Sequence, residues 1–93
     1  MATLRSPQTP MAYIGLGSVN YSQGDFQAAR QAYAVALELD ETNPDAHLGM
    51  GLALGELEQY DDAIQHLERF LELAPDTQQR TSIRALIMEY ATR

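Results

Sequence analysis

The stretch "HLGMGLALGEL", residues 47–57, sets three glycines among leucine, methionine and alanine residues. Such a pattern could belong to a phosphate-binding loop, to part of a membrane helix, or to a helix that needs glycines for packing. A dinucleotide loop requires a turn after a strand with the spacing G-x-G-x-x-G, whereas this stretch reads G-x-G-x-x-x-G within a helical pattern. His47 and Glu56 bracket too few residues to cross a bilayer. The pattern therefore favours a packed helix, and no nucleotide cofactor is expected.

The chain repeats itself after 34 residues. Shifting the sequence by that interval aligns nine identical residues without a gap, most of them small or apolar. They are Pro10/Pro44, Ala12/Ala46, Gly15/Gly49, Gly17/Gly51, Ala29/Ala63, Gln31/Gln65 and the tripeptide "LEL" at 37–39 and 71–73. Self-similarity at this period is typical of helical repeat proteins.

Each repeated unit predicts two helices. Thr9-Pro10 and Asn43-Pro44 place a capping residue directly before a proline, whose fixed φ suits the first helical position. First helices are therefore predicted to start near residues 10 and 44. Each second helix carries apolar residues at helical spacing.

The turns between the paired helices are signalled unequally. In the first unit, Gly24 can end a helix in the left-handed conformation and Asp25 can cap the next helix. The second unit has Glu58 and Gln59 at those places, so its turn is less well signalled.

A fifth helix is predicted after Pro75, which ends the fourth. Asp76 and Gln79 have the spacing of a capping box at its start. Its apolar face consists of Ile83, Leu86, Ile87 and Tyr90.

The 34-residue unit resembles the tetratricopeptide repeat (TPR). The residues that carry the resemblance are Tyr13, Leu16, Gly17, Ala29, Tyr33 and Ala36 in the first unit and Met50, Gly51, Ala63, Leu67 and Pro75 in the second. The departures are Glu41 at the usual proline, Tyr21 one place late, His47 for a bulky aromatic residue and Phe70 for a small one. The fifth helix repeats the opening signature and resembles the capping helix of the family.

The resemblance implies an all-α fold, a right-handed superhelix of two TPR-like repeats with a fifth, capping helix. The first repeat is predicted over 10–43, the second over 44–75 and the capping helix over 76–93, after a disordered N-terminal segment, 1–9. The residues assigned to close helix packing are Gly17, Gly51, Ala29 and Ala63.

The resemblance also implies a binding surface, because TPR proteins receive a peptide in the concave groove lined by the first helix of each repeat. The positions that match this face are Met11, Ile14, Ser18, Tyr21, Asp45, Leu48, Leu52, Gly55, Arg84 and Met88. The apolar members suggest an amphipathic helix or a hydrophobic motif as ligand. One TPR subclass grips the C-terminal carboxylate of heat-shock chaperones with lysine, asparagine and arginine. The sequence contains no lysine, so this clamp is not expected.

Glycines in a helix interior cost about 0.8–1 kcal/mol each relative to alanine, so the glycines of the first helices need an explanation. The resemblance explains Gly17 and Gly51, where two helices approach closely. Gly15 and Gly49 lie outside the usual motif, and Gly55 has no packing explanation from sequence. Gly15 and Gly49 are either products of drift and duplication or bare backbone that lets a ligand approach the concave face.

The net charge and its distribution indicate which classes of partner the chain is not expected to bind. The net charge is −7, and twelve acidic residues lie between 25 and 76 against two arginines. Such a surface repels phosphate backbones and anionic lipid, so neither nucleic acid nor membrane is an expected partner. The chain has no cysteine and no apolar run long enough for a signal peptide or a membrane span, which fits a cytoplasmic protein.

Catalytic and metal-binding chemistry is sparse. The two histidines, His47 and His66, are predicted on different helices without further ligands at metal-binding spacing, so we interpret them as structural or surface residues. Asp61 and Asp62 begin a predicted helix, where the dipole favours negative charge. The sequence therefore predicts no catalytic residue, no metal site and no cofactor.

The sequence is compatible with three functions. The first is a non-catalytic scaffold or adaptor module that binds a peptide or amphipathic helix of another protein. The second is a self-associating unit, with a homo-oligomer formed through the helix at 76–93, because repeat arrays usually need three or more units for stability. The third is a fragment of a longer TPR protein.

Overall fold

The computed structural model describes residues 9–93, and all statements below concern this part of the chain. The predicted disordered segment lies outside it except for Thr9. The described chain forms five α-helices and no strand. They are α1 (Pro10–Ser22), α2 (Phe26–Leu39), α3 (Pro44–Glu56), α4 (Tyr60–Leu73) and α5 (Arg80–Ala91). The prediction of an all-α fold with five helices is confirmed.

The predicted starts of the two first helices are correct. Thr9 accepts a hydrogen bond from the amide of Ala12 at 3.2 Å, and Pro10 opens α1. Asn43 accepts from the amide of Asp45 at 3.0 Å in front of α3. Each side chain satisfies amides that the first helical turn leaves without partners.

The start of α5 differs from the prediction. The helix begins at Arg80, and Gln79 stands at its N-cap without a side-chain hydrogen bond. Residues 75–79 form turns instead, because the amide of Thr77 donates to Ala74 O at 3.1 Å and the amide of Arg80 to Thr77 O at 3.4 Å. Asp76 and Gln79 therefore do not form the predicted capping box.

The core lies between the paired helices and is centred on α3. Leu67 of α4 is the largest fully buried side chain, and Ala29 and Ala63 are completely buried where second helices meet first helices. The remaining core side chains come from α2 to α5, and include Tyr33, Met50, Leu54, Phe70, Ile83 and Tyr90. No helix of the described chain is long and apolar enough to span a membrane.

Candidate functional site: the groove between the first helices

A cleft of about 270 Å³ lies between α1 and α3. On α1, helical spacing brings Ile14, Ser18 and Tyr21 to one face. On α3 it brings Asp45, Leu48 and Leu52 to one face. The full lining is Ile14, Ser18, Tyr21, Ser22, Tyr33, Asp45, Leu48, Gly49 and Leu52. Six of the ten predicted groove residues thus come together in one place.

The floor of this cleft is apolar but only partly buried. Ile14, Leu48 and Leu52 pack against the core from its edge, so each keeps some surface open to solvent. A partner side chain placed here would bury that remaining surface, which stabilises a complex by about 25 cal/mol per Å² of apolar area.

Tyr33 of α2 forms the back of the cleft. Its ring lies between the two first helices, over Gly17 of α1 and Gly49 of α3. The side chain is 6% exposed, and this burial raises the pKa of its hydroxyl. Sequence reasoning matched Tyr33 to the family pattern but did not place it in the groove, because a residue of a second helix gives no periodic signal for the concave face.

The electrostatic character of the cleft is acidic. Asp45 lies at one end, and at the other the Tyr21 hydroxyl donates to a carboxylate oxygen of Glu56 at 3.4 Å. Burial, and secondarily the charge of Glu56, raises the pKa of Tyr21. The lining contains no lysine or arginine, so it offers no positive charge to an acidic ligand.

A family model of the tetratricopeptide repeat matches residues 20–87, well over half of the sequence. The chain is a member of the tetratricopeptide-repeat family.

Two known proteins are similar to this TPR chain. Protein CTR9 homolog of Arabidopsis thaliana is 38% identical over 72 residues, which cover 76% of this chain and 7% of that protein. The first TPR of Spaghetti (RPAP3), solved bound to the HSP90 peptide SRMEEVD, has a TM-score of 0.82 at 20% identity. That match covers 90% of this chain and 64% of the solved one. The structural similarity concerns the fold, and this TPR chain spans a small part of the curated relative.

The other predicted groove residues lie elsewhere on the TPR fold. Met11 is 80% exposed and is not part of the cleft lining. Arg84 and Met88 line a separate cleft between α4 and α5. Gly55 is buried beneath the ring of Tyr90. The helix that resembles a TPR cap therefore does not extend the α1–α3 groove.

The structure corrects the bare-backbone hypothesis for Gly49. A Cβ at this position would overlap the ring of Tyr33, so the absent side chain makes room for an intramolecular contact rather than for a ligand. Gly55 has the same explanation, with Tyr90 as the neighbour. Beyond its chain neighbours and its own helix backbone, no atom lies within 4 Å of a Cβ added at Gly15. Among the glycines of α1 and α3, Gly15 alone has open space at this position.

Two of the predicted packing residues, Gly17 and Gly51, lie close to side chains of second helices. An added Cβ at Gly51 would lie 2.6 Å from Leu67 Cδ2 and 3.2 Å from the carbonyl oxygen of Ala63. At Gly17 it would lie 2.8 Å from Tyr33 Cζ. Second helices therefore approach first helices at the two glycines that the family pattern identifies.

The two histidines, which sequence reasoning left unpaired, touch each other. His47 Nδ1 and His66 Nδ1 are 3.0 Å apart, and His47 Nε2 lies 2.7 Å from the carbonyl oxygen of Glu41. Because a carbonyl oxygen only accepts, Nε2 of His47 carries a proton, and in the neutral pair Nδ1 of His47 accepts from His66. Burial, and secondarily the charge of His47, lowers the pKa of His66.

This pair joins α3 to α4 within the second repeat. In residues 9–93 no three His, Asp or Glu side chains are arranged so that they could hold a metal ion. The contact could not be predicted because nineteen residues separate the two histidines and the family pattern has no histidine at these positions.

Proposed function

We propose that this chain is a non-catalytic interaction module that binds an apolar, basic segment of a partner protein in the α1–α3 groove. The observation that carries the proposal is the meeting of Ile14, Leu48 and Leu52 on one open, apolar floor beside acidic groups. TPR proteins are known as protein-interaction modules, and the similar RPAP3 domain was solved with a bound peptide.

The charge of the groove supports a basic rather than an acidic ligand. Asp45 and Glu56 flank the apolar floor, and the lining contributes no cation that could hold a C-terminal carboxylate. Lysine or arginine side chains at the ends of an apolar segment would instead pair with these carboxylates. We infer that a peptide such as SRMEEVD, which carries four acidic groups counting its terminus, is a poor ligand.

Peptide selection on the 93-residue chain tests this function. Phage-displayed random peptides selected on the wild-type protein are expected to share apolar residues next to lysine or arginine. Their binding is then compared with that of the Leu48→Glu, Leu52→Glu double variant, in which we expect a loss of about tenfold or more. Selected peptides that are acidic, or that bind the variant equally well, would contradict the proposal.

A matched control separates groove chemistry from loss of fold. Leu39 is 42% exposed and lies on α2, outside the groove lining. Leu39→Glu introduces the same type of substitution, with one added charge instead of two, and is expected to leave peptide binding unchanged. Circular dichroism of all variants verifies that helix content is retained.

A further inference from the structure

A second and larger cleft, of about 880 Å³, opens between α4 and α5. Leu71 of α4 and Ile87 and Met88 of α5 provide its apolar surface, and Met88 is 70% exposed. In residues 9–93 its lining comes from α4, α5 and the turn between them, and no other helix contributes to it.

The two walls of this cleft carry opposite charges. Glu68 and Glu72 lie one turn apart on α4, and Arg80 and Arg84 lie one turn apart on α5. The charges do not pair across the cleft in the described chain, because Glu72 pairs with Arg69 at 3.1 Å and Arg80 donates to the carbonyl oxygen of Pro75 at 3.1 Å. The surface is therefore an apolar strip between an acidic edge and a basic edge.

We propose that this face, which we call the α4–α5 face, forms a two-fold dimer with a second copy of the chain. In a two-fold interface the same surface of both copies is in contact. A residue of one copy that contacts a second residue of the other copy is therefore matched by the reverse contact. The arginine edge of each copy then lies against the glutamate edge of the other, and Met88 and Ile87 are buried between them.

Charge complementarity favours a second copy in the two-fold arrangement over head-to-tail stacking of repeats. Stacking would place α1 of another copy on the α4–α5 face, and α1 does expose Leu16 and Val19. However, α1 contains no charged residue, so it would cover both charged edges without pairing either of them. The two-fold arrangement pairs both.

Analytical ultracentrifugation from micromolar to millimolar concentration tests the dimer on the intact 93-residue chain. We expect a reversible dimer that weakens with added salt, because salt screens exposed charge pairs. A monomer throughout this range, or a dimer insensitive to salt, overturns the proposal.

Charge exchange tests the two-fold geometry. One variant carries Arg80→Glu and Arg84→Glu, and the other carries Glu68→Arg and Glu72→Arg. Each alone places like charges at both contacts and is expected to dimerise at least about tenfold more weakly than wild type. Mixed in equal amounts they restore opposite charges at both contacts, so a heterodimer is expected. Two folded variants that fail to associate when mixed overturn the pairing.

Two further variants keep the test decisive if the charge-exchanged proteins lose structure. Met88→Glu places a charge in the centre of the proposed interface at an exposed position and is expected to abolish the dimer. Leu16→Glu with Val19→Glu alters α1 and is expected to leave the dimer intact. Dimerisation that survives the first change, or is lost with the second, contradicts the assignment to the α4–α5 face.

Discussion

The two repeats give their aligned glycines different neighbours. In the first repeat, the ring of Tyr33 fills the space over Gly17 and extends to Gly49 of the next repeat. In the second repeat, Leu67 stands at the position of Tyr33, 34 residues later, and covers Gly51. A tyrosine is longer than a leucine and needs a second glycine on the neighbouring helix. Gly49 is therefore paired in function with Tyr33, and its sequence counterpart Gly15 has no such neighbour.

This difference shows that a repeated residue need not have a repeated role. Gly15 and Gly49 are aligned by the 34-residue period, yet one is exposed and the other lies beneath a buried ring. The packing differs within residues 9–93, since α3 has a second helix packed on each side and α1 has one on a single side.

The largest expected effect comes from adding a methyl group under Tyr33. Gly49→Ala is expected to lower the free energy of unfolding by about 1–3 kcal/mol, the usual cost of overpacking a core. The ring cannot move away from α3, because Gly17 limits it on the α1 side. Urea unfolding followed by circular dichroism measures the change.

Two matched variants sharpen this result. Gly15→Ala, at the aligned position, is expected to stabilise the protein by up to about 1 kcal/mol, because it gains helix propensity and meets no atom. Adding Tyr33→Leu to Gly49→Ala makes the first repeat resemble the second and is expected to recover about 0.5–3 kcal/mol relative to the sum of the single changes. Strict additivity of the two changes contradicts the pairing of Tyr33 with Gly49.

A smaller effect is expected at the turns within the repeats. The two turns have the same hydrogen bonds: Asp25 N donates to Asn20 O and Gln59 N to Leu54 O, both at 2.9 Å. Glu58 has φ 63° where the first repeat has Gly24 at φ 80°. Because a left-handed conformation costs a residue with a side chain about 1–2 kcal/mol, Glu58→Gly is expected to stabilise the protein by up to about 1 kcal/mol.

The reverse change serves as the control for the turn. Gly24→Ala is expected to destabilise by a similar amount, since an added Cβ meets no neighbour there and only the backbone conformation matters. Gln59→Asp should add a cap bond like that of Asp25, worth about 0.5–2 kcal/mol. A neutral or harmful Glu58→Gly would show that the turn is not strained in solution.

The smallest expected effect concerns pH and is specific to the second repeat. The pKa of His66 is lowered from 6.5, so the unfolded chain binds a proton more readily than the folded one. Stability is therefore fully present above pH 6.5 and falls as the pH drops through the lower folded-state pKa. Asp62, whose charge favours the protonated ring, reduces this loss, and Glu41 and Arg69 line the same site.

Thermal unfolding at several pH values measures this dependence. The wild type is expected to lose stability between neutral and mildly acidic pH, and His66→Gln is expected to lose less. An equal loss in both proteins would assign the effect to other groups.

Much of the fold was predictable because its signals are local. A capping residue followed by proline marks the start of α1 and of α3. The 34-residue period indicates which helices form a pair. The start of α5 was not predictable, because the turns at residues 75–79 compete with a capping box that looks favourable in sequence.

The candidate site was predicted in part, for a physical reason. Six groove positions were predicted from the resemblance to the TPR family, and helical spacing on α1 and α3 brings them into one cleft: Ile14, Ser18, Tyr21, Asp45, Leu48 and Leu52. The position of Tyr33 in the groove and the His47–His66 contact were not predicted. Each involves a side chain of a second helix whose contacts lie far away in the sequence. Arg84 and Met88 were placed by analogy across the turns at 75–79, and they line another cleft.

In the proposed complex, an apolar segment of the partner binds between the first helices of the two repeats. The most direct measurement is a methyl NMR titration of the 93-residue chain with the peptide selected on it. We predict that the methyl signals of Ile14, Leu48 and Leu52 shift while those of Leu71 and Ile87, in the α4–α5 face, do not. Shifts confined to Leu71 and Ile87 would place the ligand on the α4–α5 face and exclude the α1–α3 groove as its site.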